Sequence, residues 1–278
     1  MLTVMAPAKL NLTLEVLNKR PDGYHEIRSI VQTVNLNDGL HFRLSQRTEF
    51  KCNAPDWMPE KSLVSKAVSL LRGKTSKGAM IEIDKRIPLA AGLGGDSSDA
   101  AAVLRGLNML WELGLSLREL IKLAAQLGSD VPLFLYGGTL LVEDRGEKVT
   151  PLPPLPHMLA VLLVPPLPRP ERKTERLYSM LKAADCTMGY ITDSFADWLN
   201  QRKESAFPSL FNVFNYIAPD VFTGLKEYRQ RFLEAGALEV HLAGSGPTLF
   251  TLTNDAALAK NICCRLQEQG LESYMADF

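Results

Sequence analysis

Residues 88–104, PLAAGLGGDSSDAAAVL, place glycines at 92, 94 and 95 ahead of Ser97, Ser98 and a run of alanines. A strand, a glycine-rich turn and a helix start, in that order, aim backbone N–H groups and the positive end of a helix dipole at one spot, which suits a phosphate. Glycines let the backbone come close, and Ser97 and Ser98 add hydroxyl donors or a magnesium ligand. The same residues also spell a flexible turn with Ser97 or Ser98 as an ordinary N-cap, and taken alone they serve either reading. No lysine follows these glycines, and the GKT at residues 73–75 lacks a glycine five positions ahead, so neither segment is a Walker A loop. The Gly-x-Gly-x-x-Gly spacing of a dinucleotide site is absent as well.

Other residues could work with this loop. In APAKLNLTLEV, Lys9 and Asn11 stand two apart on an expected strand, so a cation and an amide share one face. RPDGYHEI carries a turn signal at Asp22-Gly23, followed by an aromatic ring, Tyr24, and a titratable one, His25. In LGSDVPLFL, Asp130 lies just past a helix stop and reads as the cap of a short new helix. HLAGSGPTLF sets Gly244, Ser245 and Gly246 between two expected strands, where a tight turn is the plain explanation. The four cysteines, Cys52, Cys186, Cys263 and Cys264, have no zinc-type spacing and are expected to be buried free thiols.

These residues need elements to hold them. LTVMAPAKLNLTLEVL gives two alternating apolar stretches around Pro7, strands or a bent hairpin, and GAMIEIDKRIP another strand. SLVSKAVSLLR puts Leu63, Val64, Ala67, Val68 and Leu71 on one helical face. SSDAAAVLRGLNMLWEL is rich in helix formers, and SLRELIKLAAQLG opens with a capping box, Ser116 and Glu119, and stops at Gly128. GGTLLVED is a strand, and the Pro-rich segment from Thr150 to Met158 is the expected linker. Beyond it, LAVLLVPP, two helical patterns, the pair of strands around Gly244, a cysteine-containing helix and LESYMADF suit an antiparallel sheet with helices on one face. No internal repeat is evident.

Composition frames all of this. The chain has 278 residues, 46% hydrophobic and 22% charged, with 31 basic and 31 acidic side chains, which is ordinary for one large or two average globular domains. A balanced charge argues against nucleic-acid and membrane-surface partners, which call for a surplus of Lys and Arg. No apolar run is long enough to span a bilayer and the first residues lack the pattern of a secretion signal, so a cytoplasmic location is expected.

Together the motifs resemble the GHMP superfamily of small-molecule kinases: PLAAGLGGDSSDAA its phosphate loop, APAKLNL its N-terminal motif and HLAGSGPTLF its C-terminal glycine motif. RPDGYHEIRSIVQTVNLND is similar to the branch whose acceptor is a cytidine diphosphate-linked methylerythritol, in non-mevalonate isoprenoid precursor biosynthesis. The resemblance implies an α+β, two-domain fold: an ATP-binding α/β domain over 1–152, a ferredoxin-like α+β domain over 157–278, and an active site in the cleft between them. It implies Asp130 as catalytic base with Lys9 beside it, and ATP held by Pro88, Ala90, Ala91, Gly92, Leu93, Gly94, Gly95, Ser97, Ser98 and Lys85. Mg²⁺ is expected on the ATP phosphates, with Ser98 as its ligand. The acceptor is expected to meet Asn11, Tyr24, His25, Thr174, Tyr178, Gly244, Ser245 and Gly246, with His25 reading the cytosine edge and the two tyrosines stacking on the ring. A monomer or weak homodimer goes with this picture.

Some residues depart from the pattern. Asp96 stands where a third loop glycine is common, and reads as a solvent-facing loop residue. Ser62 replaces an asparagine near the adenine, and the segment around Thr174 is unusually charged. Three alternatives share part of the motif set: another kinase of the superfamily, a decarboxylase of the mevalonate branch, and a nucleotide-binding regulator without catalysis. The aromatic and histidine after Asp22-Gly23 disfavour the first two, and the presence of both Lys9 and Asp130 disfavours the third.

Overall fold

The computed structural model describes residues 1–201 and 206–278. It opens with strands β1 (Leu2–Asn11), β2 (Thr13–Lys19), β3 (His25–Ser45) and β4 (Glu49–Cys52), helix α1 (Leu63–Arg72) and strand β5 (Gly78–Asp84). Helices α2 (Gly95–Leu110), α3 (Leu117–Leu127) and α4 (Val131–Tyr136) lead into strands β6 (Thr139–Asp144), β7 (Lys148–Pro151) and β8 (Leu159–Val164). Then come helices α5 (Lys173–Met180) and α6 (Tyr190–Gln201), strand β9 (Phe211–Asn212), and helices α7 (Ala218–Val221) and α8 (Leu225–Glu234). Strands β10 (His241–Leu242) and β11 (Leu249–Thr253), helix α9 (Ala256–Glu268) and strand β12 (Glu272–Asp277) complete the order.

The chain forms two compact units from interleaved segments: the first from Met1–Ala8, Leu36–Leu89 and Gly94–Gly137, the second from Lys9–Asn35, Ala90–Leu93 and Gly138–Phe278. In the first, the far half of β3 pairs antiparallel with β5 from Gly39↔Asp84 to Ser45↔Gly78, and β4 runs parallel to β5. Val64, Ala67, Val68 and Leu71 of α1 are buried as their spacing predicts, and Ser62 caps the helix by accepting from the Val64 N–H. The alanines of α2 serve packing, since a helix lined with small side chains can lie close to α1, α3 and α4.

In the second unit, the near half of β3 pairs with β2 and with β6, β6 turns back into β7, and β2 pairs in parallel with β9. A separate antiparallel sheet has the order β10-β11-β8-β12, with α9 packed on β8 and β12. Leu14, Val161, Leu163, Phe214, Phe222, Phe232, Leu249 and Ile262 share one buried cluster here, each such side chain contributing about 1.5–3 kcal/mol by leaving water.

The structure corrects several expectations. β1 runs straight through Pro7 and the bend falls at Leu12; β1 pairs with β3 alone among the described strands, so one edge can spare a backbone N–H. The pattern from Pro219 to Gly236 is two helices, because Gly224 takes φ +92° and starts α8 afresh. Helix α6 has no counterpart in the sequence reading. Of the cysteines only Cys263 is fully buried, and Cys264 is exposed. Among the described residues no helix is long and apolar enough to cross a membrane.

Candidate active site

In the first unit, the site builds on the start of α2. That helix begins at Gly95 with Gly94 as N-cap at φ +75°, so Ser97 and Ser98 stand inside the first turn instead of capping it. A left-handed N-cap is easy for glycine and gives the loop its approach to the helix end. Ser98 is 1% exposed and its Oγ has no hydrogen-bond partner among the described residues. An unused buried hydroxyl at a helix N-terminus is what a phosphate oxygen or a cation on it would take up.

Asp96, exposed as expected, turns to α1: it accepts from Ser62 Oγ at 2.5 Å and from the Leu63 N–H at 3.2 Å. A carboxylate beside ATP phosphates would repel them, and here it is engaged at the N-terminus of another helix. Ser62 is thereby committed to capping.

Lys85, expected to meet ATP, is engaged by two carboxylates of its own unit. Its ammonium, 4% exposed, sits against Asp38 and lies 2.7 Å from Asp99, both carboxylates fully buried. Asp38 further accepts the Arg86 and Ile87 N–H groups at 2.6 and 2.8 Å, fastening the segment that leads into the loop. Burial works against the Lys85 charge, yet Asp99 and Asp38 outweigh it and hold the pKa above the usual lysine value. Two carboxylates for one lysine leave a charge too many. Burial, opposed by Lys85 and reinforced by Asp38, raises the Asp99 pKa to about 8. Lys85 therefore positions the loop, and its cation is already neutralised.

Asp130 occupies the N-cap position of α4, where Pro132 fits the first turn. Its side chain makes no capping hydrogen bond, so the carboxylate is not spent on the helix it begins.

The second unit gathers the rest. Lys9 Nζ donates to Asn11 Oδ1 at 2.6 Å, and Asn11 Nδ2 donates to Ser29 Oγ at 2.8 Å; Lys9 and Asn11 are buried. The expected shared face is present. Over it lies the turn at Gly244, where a Cβ would stand 2.8 Å from Lys9 Nζ and 3.2 Å from Asn11 Oδ1. At Gly92, with φ +89°, a Cβ would stand 2.3 Å from the Ala243 carbonyl, so this part of the glycine loop and the C-terminal turn meet backbone to backbone. Backbone bonds fix the approach: Lys9 N–H to the Leu93 carbonyl at 2.9 Å and Thr248 N–H to the Ala91 carbonyl at 3.3 Å. Thr174 Oγ1 and Ser245 Oγ are 2.9 Å apart, which ties α5 to the turn.

Asn212, absent from the residues singled out by sequence, donates to the Leu242 and Gly244 carbonyls at 2.9 and 2.8 Å and accepts from the Phe214 N–H. It is 1% exposed and sets the turn. No motif marks it, because the carbonyls it donates to lie 30 and 32 residues away.

Two of the expected rings pack on each other and the third stands apart. His25 stacks on Tyr178 with centroids 4.9 Å apart, and Phe214 meets Tyr178 edge-on at 5.0 Å. Tyr24 is exposed and outside this stack, with the Arg145 guanidinium 5.0 Å above its ring. Burial, with Lys19 second, pushes the His25 pKa down, which leaves a neutral imidazole able to both donate and accept. The expected residues thus divide: Lys9, Asn11, Tyr24, His25, Ala90 to Leu93, Thr174, Tyr178 and the Gly244 turn fall in the second unit, and Lys85, Pro88, Gly94, Gly95, Ser97, Ser98 and Asp130 in the first.

A glycine-shaped helix start with a buried hydroxyl suits a phosphate, and phosphate binding is what a small-molecule kinase requires. Comparison with known proteins agrees. The model for the GHMP kinases N terminal domain matches residues 62–138, and that for the GHMP kinases C terminal matches residues 193–271. A 4-diphosphocytidyl-2-C-methyl-D-erythritol kinase of Dehalococcoides mccartyi is 51% identical over 277 residues, 99% of this chain and 97% of that protein. One of Pelotomaculum thermopropionicum is 39% identical over 95% of this chain and 93% of that protein. A crystal structure of 4-(cytidine 5'-diphospho)-2C-methyl-D-erythritol kinase aligns with a TM-score of 0.83 at 32% identity, covering 99% of this chain and 98% of that one. The chain belongs to the 4-diphosphocytidyl-2-C-methyl-D-erythritol kinase family of GHMP kinases.

Proposed function

We propose that this enzyme transfers the γ-phosphoryl group of ATP to the 2-hydroxyl of 4-diphosphocytidyl-2-C-methyl-D-erythritol, giving the 2-phosphate and ADP in isoprenoid precursor biosynthesis. The observation that carries this is the 51% identity sustained over 99% of the chain with kinases of that name. Phosphoryl transfer asks a protein chiefly for positioning and for charge placed where it develops. Asp130 accepts the proton of the tertiary hydroxyl, and Lys9 steadies the charge on the reacting groups. Pro88, Ala90 to Gly95, Ser97 and Ser98 cradle the ATP phosphates through backbone N–H groups and hydroxyls. Magnesium fits beside the unused Ser98 Oγ as one protein oxygen among phosphate oxygens, and when bound it neutralises charge on the transferring group. His25 reads the cytosine edge from its stack on Tyr178, Tyr24 adds an aromatic face, and Asn11, Thr174 and residues 244–246 hold the rest of the acceptor. Sequence domains over 1–152 and 157–278, a cytoplasmic location and a monomer or weak homodimer complete the proposal.

The test is ADP release by the purified protein given Mg-ATP and this acceptor, run beside Asp130→Ala. We expect turnover in the wild type and a loss of about a hundredfold or more in the variant. Undiminished turnover in Asp130→Ala would remove the base assignment and leave the kinase; ATP binding without turnover of this acceptor would overturn the substrate.

A further inference from the structure

Ser29 lies on β3 in the second unit and is fully buried. Its hydroxyl meets two groups: the Thr13 carbonyl, and Asn11 Nδ2 at 2.8 Å. A carbonyl only accepts, so the Ser29 O–H donates to Thr13 and its oxygen is left to accept from Asn11. At the other end of the same amide stands Lys9 Nζ, 2.6 Å away. An ammonium only donates, so the atom that faces it is Oδ1. The two ends of Asn11 thus fix the same orientation, each by the chemistry of its own partner.

Ser29 also has a plain structural use. The chain bends at Leu12, between β1 and β2, and side chains there bond to the backbone. Ser29 Oγ donates to the Thr13 carbonyl, and Thr13 Oγ1 accepts from the Ile30 N–H at 2.8 Å and lies 2.9 Å from Thr192 Oγ1 of α6. A brace for the bend needs only the bond to Thr13. It leaves unexplained the second contact, which falls on the amide whose far end holds Lys9. Reversing that amide would set Nδ2 against the ammonium, donor against donor, between two buried side chains. The Gly244 turn closes over the pair so tightly that a Cβ there would stand 2.8 Å from Lys9 Nζ.

We infer that Ser29 is a positioning residue for phosphoryl transfer: by accepting from Nδ2 it fixes the Asn11 amide with Oδ1 on Lys9, and so holds the ammonium beneath the Gly244 turn. The inference rests on the phosphotransfer reading, in which Lys9 and Asn11 serve the reacting groups. A residue that acts through Asn11 has nothing to act on once the Asn11 amide is removed. A brace for the bend keeps its effect.

Two measurements on the full chain separate these roles. The first follows solvent exchange of the Asn11 Nδ2 protons by ¹⁵N NMR in the wild type and Ser29→Ala, with the Ile30 backbone N–H as internal reference. We expect Nδ2 exchange in the variant to rise about tenfold relative to Ile30, the scale of one hydrogen bond. An equal rise at both sites, or none at Nδ2, would overturn the inference. The second is a double-mutant cycle in kcat/KM with Mg-ATP and the acceptor. Ser29→Ala should lose about tenfold in the wild-type background and nothing further in Asn11→Ala. Undiminished turnover in Ser29→Ala, or the same loss recurring in Asn11→Ala, would also overturn it. Should Ser29→Ala not fold, Ser29→Cys gives the same comparisons, since it nearly keeps the volume and puts a weak acceptor in place of a strong one. If the acceptor is not turned over while Nδ2 exchange responds as expected, the substrate reading fails and the role of Ser29 toward Asn11 and Lys9 stands.

Discussion

Two aspartates begin helices in this protein, and they should respond to mutation in opposite ways. Asp255 accepts from the Ala257 and Leu258 N–H groups at the start of α9, so Asp255→Ala should cost about 1 kcal/mol in urea denaturation and leave activity alone. Asp130 makes no such bond at α4. Asp130→Asn should stay within about 0.5 kcal/mol of wild-type stability while activity falls. Asp99 carries a pH signature. An acid whose folded pKa lies near 8 against an unfolded value near 3.8 binds more protons when folded across that window. Stability is then lost as pH rises from about 4 towards 8, by at most about 1.4 kcal/mol per pH unit. Asp99→Asn removes that slope, so denaturation midpoints should favour the variant increasingly from pH 5 to pH 8; parallel curves would refute the assignment. At this scale the sequence showed what lies close along the chain. Lys9 and Asn11 reveal themselves by their spacing. Asn212, Ser29 and the Asp38–Lys85–Asp99 cluster do not, because their meaning depends on partners brought near only by folding.

Elements were legible where their signals are local. The capping box at Ser116, the apolar face of α1 and the stop at Gly128 all appear where the residues put them. The start of α2 was misplaced because serine is a good cap in general, while here the backbone turns into the helix through a left-handed glycine. One position sets helix propensity against packing. Gly106→Ala in α2 should gain about 1 kcal/mol from propensity, yet its Cβ would stand 2.5 Å from the ring of Phe42, which is fully buried. Overpacking of this kind costs about 1–3 kcal/mol. A net loss of stability in thermal denaturation is expected, and a gain would mean that β3 yields more readily than its burial suggests.

At the scale of the whole molecule, the second unit ties residues 9–35 to residues 138–278. β2 pairs with β9, Glu15 accepts from the Thr192 N–H at 2.7 Å, and Arg28 bridges to Asp193 at 3.0 Å. A fragment of residues 157–278 loses all three connections. It should fail to unfold cooperatively when heated on its own, and a sharp transition would show that its four-stranded sheet is sufficient. The sequence suggests a joint at the Pro-rich segment, whose two sides share one unit, and the interleaving was not legible, since nothing local in Thr13 or Leu14 announces a partner near residue 211.

The parallel pairing of β2 with β9 also bears on recombination among relatives. A crossover at the Pro-rich segment would join the β2 of one parent to the β9 of another, and would part Leu14 and Val16 from the rest of their buried cluster. Exchanges that carry residues 1–8, 36–89 and 94–137 as a set keep each unit's internal packing from one parent. In a library of chimeras, survivors should follow those limits.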